Sequence, residues 1–202
     1  MGISEVKVAI TTTSQQQKTP GSTGAPPKIT MNGNPFPTPQ GPPSGPWPNF
    51  SSGLQVVVID PTLDITKPAA IRSNKYWPLP NRDGDWMSYY HAMWDHMASQ
   101  IYTSGNTSQQ IVFVATFGMD VNAAPAAEEL ELLILLGGGP QLQKWWTSVD
   151  VGSQSGQWVA RPGNYILVGQ PQYSYGSAPE VYQTGNPVST TLNATLTNYA
   201  GA

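Results

Sequence analysis

Leu54-Gln55-Val56-Val57-Val58-Ile59-Asp60, LQVVVID in one-letter code, is the stretch that decides the fold class of this chain. A continuous β-branched run of this length suits a strand buried on both faces within a sheet. Two further runs have the same character: Ile111 to Phe117 (IVFVATF) and Tyr165 to Gly169 (YILVG). Each is short, rich in β-branched or aromatic residues and ended by Gly, Pro or Asp, so these three are the expected core strands. Ala69 to Trp77 is the expected antiparallel partner of the first.

Around this centre the patterns change. Val6, Val8 and Ile10 alternate with Lys7, Ala9 and Thr11, the period of a half-buried strand. At the other end Thr190, Leu192, Ala194 and Leu196 alternate with Thr191, Asn193, Thr195 and Thr197. These end strands are expected to pair with each other or with another subunit. Edges with so few charges are poorly protected against association, so at least one of them is expected to reach a neighbour. Residues 1–27, the first strand and a polar linker, are expected to be dispensable for folding. Lys28 to Asn32 forms a short strand closed by the turn dipeptide Asn32-Gly33. From Asn34 to Ser52, seven prolines in nineteen residues exclude regular structure.

Three helices are expected. In Asp83 to Ile101, Trp86, Tyr90, Met93, Met97 and Ile101 make one apolar stripe at helical spacing. Pro125 opens a second helix, Glu128, Glu129 and Glu131 complement its positive end, Leu130, Leu133 and Ile134 supply its buried side, and Gly137 stops it. Gln141 to Val149 forms a short third. No internal repeat is visible.

Composition narrows the function classes. Only 10% of the 202 residues are charged, well below the roughly 25% of an average soluble domain. Gly, Pro, Ser, Thr, Asn and Gln fill the deficit, a habit of secreted and virion proteins. Seven Trp, nine Tyr and 39% hydrophobic residues oppose disorder for most of the length. A net charge of −3 leaves no basic stripe for nucleic acid. No run approaches the roughly 18 apolar residues of a membrane span. Met1 to Ile10 lacks the basic start and apolar stretch of a signal peptide, so the expectation is a removed signal or export without one. The absence of cysteine excludes disulfides, thiol catalysis and thiolate metal sites. The expected location is extracellular or on a virion surface.

No residue pattern is poised for catalysis. His91 and His96 diverge on the first helix, and His91 forms an i, i+4 pair with Asp95. Asn81, Asp83 and Asp85 open like a calcium loop, but Ala92 stands where the closing Glu belongs, so they serve as helix-capping residues. Gly137-Gly138-Gly139-Pro140 ends a helix and is not followed by the Lys-Ser/Thr of a phosphate loop. No Gly-x-Ser-x-Gly elbow is present. Neither an enzymatic activity, a metal nor a cofactor is therefore expected. The aromatic residues are more informative. Trp47, Tyr76, Trp77, Trp158, Tyr173, Tyr175 and Tyr182 lie in turn-rich polar surroundings, where rigid amphipathic rings suit stacking on sugars or anchoring an interface.

The order of motifs carries a resemblance. Lys28-Ile29-Thr30-Met31-Asn32-Gly33, then Gly53 to Asp60, Ile71-Arg72-Ser73, an amphipathic helix and Ile111-Val112-Phe113-Val114-Ala115 form a recognisable series. Glu128-Glu129, Leu136-Gly137 and Tyr165 to Gly169 continue it. Together they resemble the interleukin-like EMT inducer (ILEI) and PANDER family, whose domain also forms the stem of a protein O-mannose N-acetylglucosaminyltransferase. The resemblance covers 28–175, leaving 1–27 as an N-terminal strand and linker and 176–202 as a C-terminal extension with the terminal strand. It implies an α+β, β-dominated β-β-α fold of two antiparallel sheets with flanking helices, without enzymatic activity. It also implies carbohydrate recognition, since the transferase stem binds β-linked N-acetylglucosamine. Arg72 falls on a family arginine, and Arg161 lies one residue from the family's Arg-Asp pair. Lys75 and Gly163 replace family aspartates, and the disulfides of the secreted animal members are missing, which supports a prokaryotic or viral relative.

Two functions follow as expectations. The first is a lectin-like module for a glycan or cell-surface polymer, with Arg72, Tyr76, Trp77, Trp158, Arg161 and Asn164 as candidate binding residues. Rings supply the stacking platform, and Arg and Asn the directed donors. The second is a structural subunit of a virion (tail or capsid decoration) or secreted assembly, its end strands joining homo-oligomer or assembly partners. Adding EDTA is expected to leave the melting temperature unchanged; a drop of several degrees would reveal a structural metal.

Overall fold

In a computed structural model, the described residues are 4–14, 26–37, 53–78, 95, 98–99, 110–117, 127–147, 163–185 and 188–198, the side chains at 14, 77–78 and 127–129 excepted. They form two antiparallel sheets. One contains β1 (Ser4–Ser14), β2 (Lys28–Met31), β3 (Asn34–Pro35) and β9 (Val188–Asn198) in the order β3-β2-β1-β9. The other contains β4 (Gly53–Ile59), β5 (Ile71–Pro78), β6 (Ile111–Phe117), β7 (Gly163–Gly169) and β8 (Glu180–Thr184) in the order β5-β4-β6-β7-β8. The described residues also include two α-helices, α1 (Ala127–Leu135) and α2 (Pro140–Thr147), and a 3-10 turn at Pro68–Ala70.

The three expected core strands are the inner strands of the five-stranded sheet, and every residue of β4, β6 and β7 is buried. Their apolar runs are continuous because both faces are covered. Leu54, Val56, Val58, Val112, Val114 and Leu167 face Leu132, Leu133, Leu136, Leu142 and Trp145 of the helical segment. Val57, Ile59, Ile111, Phe113, Ile166 and Val168 face Val6, Val8, Ile10, Ile29, Met31 and Leu192 of the four-stranded sheet. The order is therefore sheet, sheet, helices. Among the described residues no helix is long and apolar enough to cross a membrane.

The end strands find each other. β1 and β9 pair antiparallel in unbroken register from Ser4 opposite Asn198 to Ser14 opposite Val188. Val6, Val8 and Ile10 are at most 2% exposed. The expectation that residues 1–27 flank an independent core is thus corrected. β1 is an inner strand of its sheet and closes one face of the other, so a chain without it exposes the apolar row it covers. Asn32 and Gly33, both at positive φ, make the tight hairpin turn between β2 and β3. The Asn32 side chain accepts the Lys7 N–H at 2.9 Å, tying that turn to β1.

Other expectations meet the structure unevenly. Asp95, Ala98 and Ser99 are helical and Ala98 packs on the core, while the rest of the helix expected at Asp83 to Ile101, with His91, His96, Asn81, Asp83 and Asp85, lies outside the described residues. Gly137, at φ +94°, ends the α1 segment as expected. Two strands were not anticipated: β3, a two-residue strand inside the proline-rich stretch expected to lack regular structure, and β8, whose sequence EVYQT lacks an apolar run because it forms an edge.

Replacing Ile10 by Ala leaves a cavity in a fully closed interior, and about 2–5 kcal/mol of stability is expected to be lost. Removal of residues 1–14 is expected to abolish the cooperative urea transition altogether. A truncated chain that unfolds with the full chain's midpoint would contradict this role for β1.

Candidate functional site

The loops that leave β4 and β7 emerge at one end of the five-stranded sheet, since Ile59 pairs with Ile111 and Val112 with Gly169. Arg72 belongs to this end. Val58 faces Ser73 and Ile59 faces Ile71, so Arg72 is the extra residue of a β-bulge, a distortion that re-aims a side chain. Its guanidinium pairs with the Asp60 carboxylate. Asp60 also accepts the Thr62 hydroxyl at 2.6 Å and the Thr62 N–H at 2.9 Å. The Thr62 hydroxyl above all, with its N–H and Arg72, holds Asp60 below the usual carboxylate range. Asp64 repeats the arrangement with Thr66 and is also lowered, and Asn198 at the end of β9 donates to it at 3.0 Å.

Beside this loop lies an open cavity of about 350 Å³. Asn32, Asn34, Thr66 and Lys67 supply its polar groups, and Phe36 and Ile71 contribute apolar wall. Arg72 directly follows Ile71, but its guanidinium is already paired with Asp60.

Of the other proposed sugar-binding residues, the two whose side chains are described, Tyr76 and Asn164, are not brought to Arg72. Tyr76 lies four residues further along β5, opposite Gln55, with its ring edge-on to Phe117 at 6.2 Å. Asn164 is fully buried near the far end of β7, where its amide donates to the Val188 carbonyl at 3.0 Å and the Thr190 hydroxyl at 3.3 Å. It joins the two sheets and has no surface to offer a ligand. Trp77 belongs to β5, but its side chain is outside the described residues, as are Trp158, Arg161 and Trp47 altogether.

A different group of rings is presented to solvent. Tyr173 and Tyr175 in the β7–β8 loop are 39% and 55% exposed, and Trp146 on α2 is 42% exposed. The Tyr175 hydroxyl lies 3.4 Å from the Gln143 side-chain oxygen, and Trp146 follows one helical turn beyond Gln143. Leu135, half exposed, is joined to the same loop through its carbonyl, which accepts the Gln172 N–H at 3.0 Å.

The loop is rigid for reasons visible in its backbone. The Gly176 N–H donates to the Gly138 carbonyl and the Ala178 N–H to the Gly137 carbonyl, at 3.3 and 3.1 Å. A Cβ on Gly139 would stand 2.3 Å from the Gly176 Cα, so the two chains touch backbone to backbone. Glu180 completes the clamp. Its carboxylate accepts the N–H groups of Gly139, Gln141 and Leu142 at 3.1, 2.8 and 3.1 Å. These are donors that the start of α2 leaves without helical partners, and the negative charge meets the positive end of the helix. The buried Tyr165 hydroxyl donates to the same carboxylate at 2.9 Å, and its ring stacks on Trp145 at 4.8 Å. Burial, then the Glu180 charge, pushes the Tyr165 hydroxyl pKa well above its usual value, so it remains a neutral donor.

Among the described residues no group of three or more carboxylates or histidines is placed to hold a metal ion. No protein-family model matches the chain, and no curated protein is significantly similar to it. The chemistry on offer is hydrogen bonding and ring stacking. Glu180→Ala strands three backbone donors and one hydroxyl, and a loss of about 2–3 kcal/mol is expected in urea unfolding. A Glu180→Ala variant as stable as the parent would show that the clamp carries no load.

Proposed function

We propose that this chain is a non-catalytic, lectin-like module that binds a glycan or surface polymer outside the cytosol. The observation that carries the proposal is the pair Tyr173 and Tyr175, exposed rings held on a loop that is clamped at both ends. Sugar rings present apolar C–H faces beside hydroxyls, and an immobile tyrosine stacks on the first while its hydroxyl and the Gln143 amide meet the second. Little side-chain freedom remains to be lost on binding. The cavity lined by Asn32, Asn34, Thr66 and Lys67 is a second surface of the kind that orients a polar ligand. Kinship with the ILEI/PANDER domain and its β-β-α architecture is part of this proposal and rests on the order of sequence motifs. The sparsely charged exterior supports a place in a secreted protein or on a virion. A second function, subunit of a virion or secreted assembly, is favoured by one observation, the long uncharged strand β9 at the edge of its sheet.

A glycan array probed with the purified chain, followed by titration of the best ligand, tests the proposal. The Tyr173→Ala/Tyr175→Ala variant is expected to bind at least about tenfold more weakly, with an unchanged melting temperature. A silent array, or full-strength binding by that variant, would remove the tyrosine platform from the account.

A further inference from the structure

The four outer edges of the two sheets are unequal. β3 is two residues long and ends in Pro35, which cannot donate a hydrogen bond. β5 carries Arg72, Lys75 and Pro78 and is broken by the bulge at Arg72. β8 is five residues long, begins with the clamped Glu180, and lies against α2 and β9. These are ordinary protections against edge-to-edge pairing. β9 shares the contact with β8 but has no charge, proline, bulge or short length to protect it. Its eleven residues, VSTTLNATLTN, contain no charge and no proline, and they run without a bulge beside β1. Among the described residues β1 is its only hydrogen-bonded neighbour. Evenly alternating exposure keeps this edge straight, with Ser189, Thr191, Asn193, Thr195 and Thr197 on the outer face.

We propose that β9 pairs with β9 of a second copy of this chain, antiparallel about a two-fold axis at Asn193. The register follows from the sequence. About that axis Thr191 faces the partner's Thr195, Ser189 faces the partner's Thr197, and Leu192 faces the partner's Ala194. Threonine opposite threonine is a favourable cross-strand pair, and on the inner face the pair nearest the axis, Leu192 with the partner's Ala194, is apolar. A strand that is neutral throughout meets its own copy without like-charge repulsion, so it is self-complementary as an isologous contact requires. The pairing joins two four-stranded sheets into one of eight and repeats what β1 already does on the other side of β9. Such a contact consists mainly of backbone hydrogen bonds, so the dimer depends on concentration. It does not depend on the glycan reading, and its test uses no ligand.

The experiment is light scattering on the full chain over a wide range of concentration, with two variants. The parent is expected to approach twice the 21.7 kDa chain mass as concentration rises. T191E/T195E places carboxylates opposite each other at both ends of the contact, and it is expected to remain at monomer mass. Its fold is expected to survive, since position 195 faces Lys7 within the chain and the bond lost at position 191 is the exposed one between the Thr11 and Thr191 hydroxyls. T191K/T195E sets opposite charges across the same axis and is expected to restore the dimer. An unchanged circular dichroism spectrum and melting temperature separate loss of pairing from loss of fold. A parent that stays monomeric at every concentration overturns the proposal. So does a dimer that T191E/T195E leaves intact, because its interface would lie elsewhere.

Discussion

Burial of the five-stranded sheet on both faces is the constraint on which the rest of this structure depends. Its three inner strands contain no residue that water reaches, so each face needs an apolar cover. The helical segment covers one and the four-stranded sheet the other. Because β1 and β9 come from opposite ends of the chain, the second cover forms only when those ends meet. The chain therefore closes on itself around its middle, and polar groups inside must be paired locally. The Gln55 amide donates to Asn74 at 2.8 Å across neighbouring strands of the five-stranded sheet, and the Asn164 amide donates to Thr190 of the other sheet at 3.3 Å.

What remains for function lies where the covers end. On the helical side, close backbone approach between Gly139 and Gly176 and the carboxylate of Glu180 hold the β7–β8 loop against the start of α2. Rings on that loop are outside because the core behind it is already filled by Trp145 and Tyr165. On the other side, the outer face of the four-stranded sheet displays hydroxyls, with Thr11 and Thr191 bonded across strands at 2.8 Å. A surface with few charges recognises by shape, stacking and neutral hydrogen bonds, which is the common thread of the proposed glycan site and of the proposed strand pairing.

Much of the frame was legible in the residues. Continuous β-branched runs identified β4, β6 and β7, the alternation of Val6, Val8 and Ile10 identified β1, and Asn32-Gly33 announced its turn. What escaped depends on partners far away in sequence. β8 has no apolar signature, because its edge position leaves most of it half exposed. Nothing local in Glu180 says that it caps a helix some forty residues earlier, and the bulge at Arg72 arises from pairing with β4. Tyr173 and Tyr175 stood out as rings in turn-rich sequence, but their support comes from Gly137 to Gly139, which read only as a helix stop. Asn164 looked like a sugar ligand because its residue type suits that role, whereas its place between the sheets makes it a structural bond.

The central claim is that one cooperative core includes the strands from both ends of the chain. Native-state hydrogen exchange measures this directly, residue by residue. The account predicts that the inner amides of β1 exchange only through global unfolding, with the same free energy and denaturant dependence as those of β4, β6 and β7. Exchange of β1 by a separate, lower-energy opening while the five-stranded sheet stays protected would contradict it.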